Sequence, residues 1–191
     1  MSTPLTALVA LLVAAAAVAL WIALTYNGLR ALQYACDDAW SLVDVQLRRR
    51  ADLVPNLVSV VGAYAEHERA VLEAAAQARG AALAEHVPTA ANAAAEGRLG
   101  SSIASVIAVS EGYPELKASA NFLQLERELA DLESQIAASR EIYNGNVASY
   151  RTRCQQVPSA WVARRFGFPV RELFVLPTLS DRSAPAVPPL R

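Results

Sequence analysis

Residues 5–24 read LTALVALLVAAAAVALWIAL, and Thr6 is their only polar side chain. At about 1.5 Å per residue, a helix of this stretch is roughly 30 Å long, the thickness of a bilayer's hydrocarbon core. Trp21 and Tyr26 stand at its downstream end, where amphipathic rings favour the membrane–water boundary. The stretch reads as an N-terminal transmembrane anchor. The competing reading is a cleaved signal peptide, for which the alanines offer cleavage positions. Against it stand the lack of Lys or Arg before the run, a run longer than a usual signal core, and helical sequence that follows directly. A soluble core helix would need a polar face, and this stretch has none.

The flanks carry a weak orientation signal. The residues MSTP hold no Lys or Arg, whereas Arg30 follows the run closely and Arg48, Arg49 and Arg50 lie further on. The positive-inside bias then puts the following domain in the cytoplasm, after a single pass through the membrane.

From Asn27 onward the chain is long enough for one domain with a sizeable core. Seventeen basic residues balance eighteen acidic ones, so no global field points to nucleic acid. The basic residues are nearly all arginine, Lys117 being the one lysine. From Arg151 to Arg191 seven arginines face only Glu172 and Asp181, an asymmetry that asks for a local reason. Cys36 and Cys154 do not make a disulfide framework and fit a reducing compartment, although they would pair if two helix ends met. Two histidines, His67 and His86, are too few for a histidine-built metal site.

Leu29, Leu32, Cys36, Ala39, Val43 and Leu47 step by three and four, which predicts an amphipathic helix over 27–51 with Trp40 at the core's edge. Arg48 to Arg50 would then complement the carbonyl end of its dipole. Asp52 to Asn56 punctuate the chain: Asp52 as a cap and Pro55 in a new first turn make a helix junction, the alternative being a kink inside one long helix. A second helix is expected over 53–86, with Leu57, Val60, Val61, Tyr64, Val71, Ala75 and Ala78 inward, ended by Pro88. Alanine dominates 74–95 and buries little area, so that end should be thinly packed. A third helix over 89–112 ends at Gly112-Tyr113-Pro114. The fourth, 119–156, carries a seam of Phe122, Leu125, Leu129, Leu132, Ile136, Ser139, Tyr143, Asn146 and Tyr150. At over 50 Å, by the rise of about 1.5 Å per residue, it should project past its shorter partners. No strand alternation competes, and short connections predict antiparallel neighbours.

Several groups of residues match a known family. Ala39-Trp40-Ser41, Asp44-Val45-Gln46-Leu47, Arg48, Arg49, Asp52-Leu53 and Pro55-Asn56-Leu57-Val58 form its first block. Tyr64, His67-Glu68, Tyr113-Pro114, Leu116-Lys117-Ala118, Asn121-Phe122, Leu125 and Glu128-Leu129 follow. Arg140, Tyr143-Asn144, Val147, Tyr150 and Phe166-Gly167-Phe168 close it. The chain resembles the LemA family from about residue 20 to 174. Many of the matched positions are polar or aromatic ones that a generic bundle does not require. The resemblance implies a bacterial, single-pass membrane protein with a cytoplasmic four-helix bundle, and no settled activity. Arg151 stands where the family tends to have Asn, Gly145 interrupts a usually stronger helix, and 84–96 is unusually rich in alanine.

The candidate chemistry is sparse. Glu66-His67-Glu68-Arg69 lacks the second histidine of a zincin helix and reads as a polar helix edge. Asp44, Asp52 and Asn56 would converge with Arg48 to Arg50 at a junction, either as a polar site or as caps and i,i+4 pairs such as Asp44 with Arg48. Glu111, Tyr113, Lys117 and Asn121 surround a turn without a phosphate loop or nucleophile elbow. Arg151 and Arg153 would lower the pKa of Cys154. The segment 159–174 is the most informative. Arg151, Arg153, Arg164, Arg165 and Arg171 would face anionic headgroups at about 1 kcal/mol each, with Trp161, Phe166 and Phe168 at the interface. The equal alternative folds these aromatics back onto the bundle as a plug.

The expected whole is all-α: a short flank (1–4), a transmembrane anchor (5–26), an antiparallel up-down four-helix bundle (27–157), a basic-aromatic segment (158–176) and a disordered Pro-rich tail (177–191). No catalytic, cofactor or metal site is expected. The bilayer is one partner. Unknown proteins or further copies of the chain are the others, and nucleic acid is not among them. A non-enzymatic membrane scaffold is the leading function, with an accessory or regulatory subunit of a membrane protease or transporter as the alternative. Under either, Trp40, Asp44, Arg48, Arg49, Asp52, Pro55, Asn56, Tyr113, Pro114, Asn121, Tyr143 and Asn144 are structural or partner-binding residues.

Overall fold

The computed structural model describes residues 3–176, so the expected disorder of the Pro-rich tail lies outside the described residues. All regular structure among them is helical: α1 (Thr3–Gly62), α2 (Arg69–Ala82), α3 (Ala90–Val109), a 3-10 turn (Ser110–Gly112), α4 (Pro114–Lys117), α5 (Ala120–Gln155) and α6 (Ser159–Arg165).

One helix holds both the apolar run and the start of the core. α1 has 60 residues, about 90 Å at the standard rise. Its most apolar 18-residue window has a mean hydropathy of 2.8 and is 0% buried. Burial begins at Thr25 and continues through Leu29, Cys36, Ala39, Val43, Leu47, Val54, Leu57 and Val61. The inward face expected for 27–51 is thus correct.

The expected junction at 52–56 is not there. Pro55 lies inside α1. A proline removes the N–H that would bond the carbonyl four residues back, here that of Ala51. Arg79 on α2 supplies the missing donor, its Nε–H reaching the Ala51 oxygen at 2.8 Å. The same guanidinium lies 3.7 Å from Asp52, so Asp52 pairs with α2 instead of capping a new helix.

The real break falls inside the stretch expected as a second helix. α1 stops at Gly62 and α2 starts at Arg69. Glu66-His67-Glu68-Arg69, long enough for a helical turn, holds no apolar residue to anchor one. Ala65, fully buried, is the last inward side chain before the chain reverses. Thr89 caps α3, its hydroxyl oxygen accepting from the Asn92 N–H at 3.1 Å.

α5 runs antiparallel to α1, since Asn146 meets Ala35 while Glu133 meets Arg50. It does not project. Its partner is the buried part of α1, Thr25 to Val61, which matches its own 36 residues. The seam is buried at Phe122, Leu125, Leu129, Leu132, Ile136, Ser139, Tyr143, Val147 and Tyr150, with Val147 in the place expected for Asn146. α2 and α3 form a hairpin on this pair. Its alanines Ala75, Ala82, Ala93 and Ala95 are buried.

The repair at Pro55 can be tested by a double-mutant cycle. Arg79→Met in the native chain should cost about 1–3 kcal/mol, because it leaves the Ala51 carbonyl without a donor. In a Pro55→Ala background the restored N–H should remove most of that cost. Equal losses in both backgrounds, measured by denaturant unfolding, would contradict the repair.

Candidate functional site

The C-terminal chain is bound to α1 and α5 by the residues that interrupt the apolar seam. After α6 the backbone turns at Gly167, whose φ is +67°. The Phe168 N–H donates to the Ala163 carbonyl at 3.0 Å and the Gly167 N–H to that of Arg164 at 3.4 Å, a Schellman cap that needs the left-handed glycine. The strap 168–176 then lies along α5. Tyr150 donates its hydroxyl to the Pro169 oxygen at 2.7 Å, and Tyr143 donates to that of Glu172 at 2.9 Å. Asn144 accepts from the Phe174 N–H at 2.9 Å and donates to its carbonyl at 3.2 Å. Phe174 is buried edge-on between Trp40 (4.9 Å) and the seam, and Arg171 pairs with Asp37 at 2.7 Å. Burial pushes the Tyr143 phenol up to about 12 and the Tyr150 phenol higher still, so both keep their protons and donate.

The first motif block clamps the hairpin. Trp40 donates its indole N–H to the His86 carbonyl at 2.8 Å. Asp44 holds Arg48 at 2.8 Å and the His86 ring at 3.2 Å. Asp44 and Asp52 therefore serve different clamps along one helix, and the expected convergence with Asn56 does not occur. Arg49 is exposed and lines a shallow cleft with Asp52, Glu128 and Asp131. Asn56 and Asn121 are exposed, and nothing in the structure explains their identity.

Arg50 is not a helix-end charge. It is the largest fully buried side chain described. Its guanidinium pairs with Glu96 on α3 at 2.6 Å and with Glu133 on α5. Its Nε has no partner among the described residues. The signal was present in the sequence: Leu47, Arg50, Val54 and Leu57 step by three and four on the inward face. Together with Arg140, these charges floor an open groove of about 610 Å³ between α3 and α5, walled by Ile103, Ile107, Leu129 and Leu176.

The remaining candidates separate. His67 is exposed in the α1–α2 turn. Glu111 and Lys117 are exposed around the 3-10 turn. Tyr113 packs against the core, and Pro114 begins α4. Burial raises the Cys154 thiol above its ordinary value, with Tyr150 pulling the other way. The expected lowering by Arg151 and Arg153 is thus corrected. Both cysteines are free.

Part of the basic-aromatic segment folds back onto the bundle and part stays exposed. Phe168 packs on Tyr26 at 5.5 Å, and Phe174 and Arg171 are used inside the fold. Trp161 and Phe166 stay exposed, as do Arg153, Arg164 and Arg165, while Arg151 is half-buried. Val162 and Ala163 of α6 pack on Leu29, and the Phe166 ring meets Tyr26 at 5.2 Å. Leu29 lies five residues past Leu24, about 7 Å along the axis. The outward-facing part of α6 therefore sits just beyond the end of the apolar run.

Asn144→Ala should release the strap, with a loss of about 1–3 kcal/mol and faster proteolysis within 166–176; unchanged protection would contradict the clamp. Desolvation raises the Glu96 carboxyl above its ordinary 4.5 even though Arg50 pulls it down. Between that value and the folded one, the native protein holds a proton that the unfolded chain has released. Stability should then fall as pH rises through this window. Glu96→Gln should flatten that descent in the melting temperature; an unaltered pH profile would contradict it.

The chain is 29% identical over 80 residues to the magnetosome protein MamQ of Magnetospirillum gryphiswaldense, a match covering 42% of this chain and 29% of that protein. It thus spans less than a third of the relative's length. The profile of the LemA family matches residues 39–188, which include the hairpin clamps, the Arg50 cluster and the strap. The chain belongs to the LemA family.

Proposed function

We propose that the chain is a membrane-anchored, non-enzymatic scaffold or adapter, held in the inner membrane by residues 5–24 with its helical domain in the cytoplasm. α1 from Thr25, α2, α3 and α5 are read as an up-down four-helix bundle. The observation that carries the proposal is the absence of any linker: Leu24 is exposed and apolar, Thr25 is buried, and both lie in one helix. A signal-peptide reading would need cleavage within that helix. The rigid passage fixes the bundle's height above the bilayer, which suits a platform for partners or for further copies of the chain.

The groove between α3 and α5 favours the second reading, an accessory subunit of a membrane protease or transporter. Its size lies within the range of about 300–1,000 Å³ typical of ligand sites, and its charged floor offers a partner specific contacts.

Crosslinking in intact cells, followed by membrane extraction, tests the proposal. The scaffold reading predicts membrane-bound protein that survives alkaline extraction and crosslinks to a defined partner or a second copy. Monomer alone, or protein in the soluble fraction, would overturn it. Co-purification of a membrane protease or transporter in fixed stoichiometry would select the second reading.

A further inference from the structure

A cleft of about 450 Å³ opens where the end of α5, α6 and the start of the strap meet. Its cationic groups are Arg151 and Arg164, and no Asp or Glu lines it. Among the described residues neither guanidinium makes an ion pair or a side-chain hydrogen bond. Arg30, by contrast, donates to Tyr26 and Gln33, and Arg165, which also makes no such bond, lies over the Phe166 ring. Apolar walls come from Ala160, Ala163 and Phe168. Phe168 also packs edge-on against Tyr26, just past the end of the apolar run.

The cleft's height decides its occupant. Asn146 is level with Ala35. Since α5 runs antiparallel to α1, Arg151 is level with about residue 30, some 9 Å past Leu24 at the helical rise. The headgroup layer extends roughly 5–8 Å beyond the hydrocarbon core on each side. Ala163, next to Arg164, packs with Leu29, about 7 Å past Leu24. Both arginines thus start at or just beyond the layer's outer edge, a side chain's reach from its phosphates, which a forked guanidinium matches in two-pronged geometry. Exposed Trp161 on the same short helix suits the interface.

The geometry points to a stoichiometric binding site for the phosphate headgroup of one anionic phospholipid, held between Arg151 and Arg164 with its glycerol end against Ala163 and Phe168. This rests on the anchor reading, which sets the cleft's height. It differs from diffuse attraction to a charged surface, in which every exposed arginine counts equally.

The test uses the full-length protein in a mild non-ionic detergent, with native mass spectrometry and a titration of short-chain phosphatidylglycerol. One lipid per chain should be retained. Arg151→Gln with Arg164→Gln should weaken retention at least tenfold, whereas Arg153→Gln with Arg165→Gln, outside the cleft, should leave it within twofold. Melting curves of both variants verify folding. Equal loss in the two pairs, undiminished retention in the first, or equal binding of phosphatidylcholine would overturn the site. Displacement by millimolar inorganic phosphate would assign the cleft to a soluble anion and overturn the lipid assignment. Failure of the anchor is read separately, as release of the wild-type chain from membranes by alkaline extraction.

Discussion

A single helix carries the apolar run into the core without a joint. Leu24 faces outward and Thr25 inward, so the segment suited to hydrocarbon and the segment that nucleates the core share one axis. The other elements take their position from that axis. α5 lies along its buried half, the α2–α3 hairpin leans on its middle, and α6 closes against Tyr26 and Leu29. Where Pro55 would weaken the rod, a side chain from the hairpin completes the backbone bonding.

The polar residues embedded in this frame have structural tasks. Trp40 and Asp44 fasten the hairpin end, Arg50 ties three helices together, and Tyr143, Asn144 and Tyr150 bind a strap that has no regular structure of its own. A buried charge such as Arg50 adds little net stability over an apolar substitute, but breaking its pairing is expensive. The cluster links one level of α1 to α3 and α5. These roles account for much of what sets the family's motif apart from a generic bundle.

Features set by local periodicity were legible in the sequence: the apolar run, the inward face of 27–51, and the seam of α5 to within one turn. Features set by contacts between distant residues were not. Nothing near Pro55 announces a donor at Arg79, so the local sequence favours a junction over a continuous helix. The reversal at 63–68 holds neither glycine nor proline and shows itself only as a polar stretch. Arg50 was concealed by its neighbours Arg48 and Arg49, although its spacing from Leu47 and Val54 marks it as inward. The strap contacts depend on chain reversal after α6, so nothing local marks Tyr143, Asn144 and Tyr150 as a docking track.

The continuity of α1 across the membrane boundary is tested most directly by a distance between two spin labels in lipid nanodiscs. Labels at Leu20→Cys and Val45→Cys, both exposed positions, in a chain with Cys36 and Cys154 replaced by Ala, span 25 residues. The account predicts a narrow distribution near 38 Å, from a rise of about 1.5 Å per residue. A broad distribution, or a mean several ångströms shorter, would mean a hinge between anchor and bundle and would contradict it.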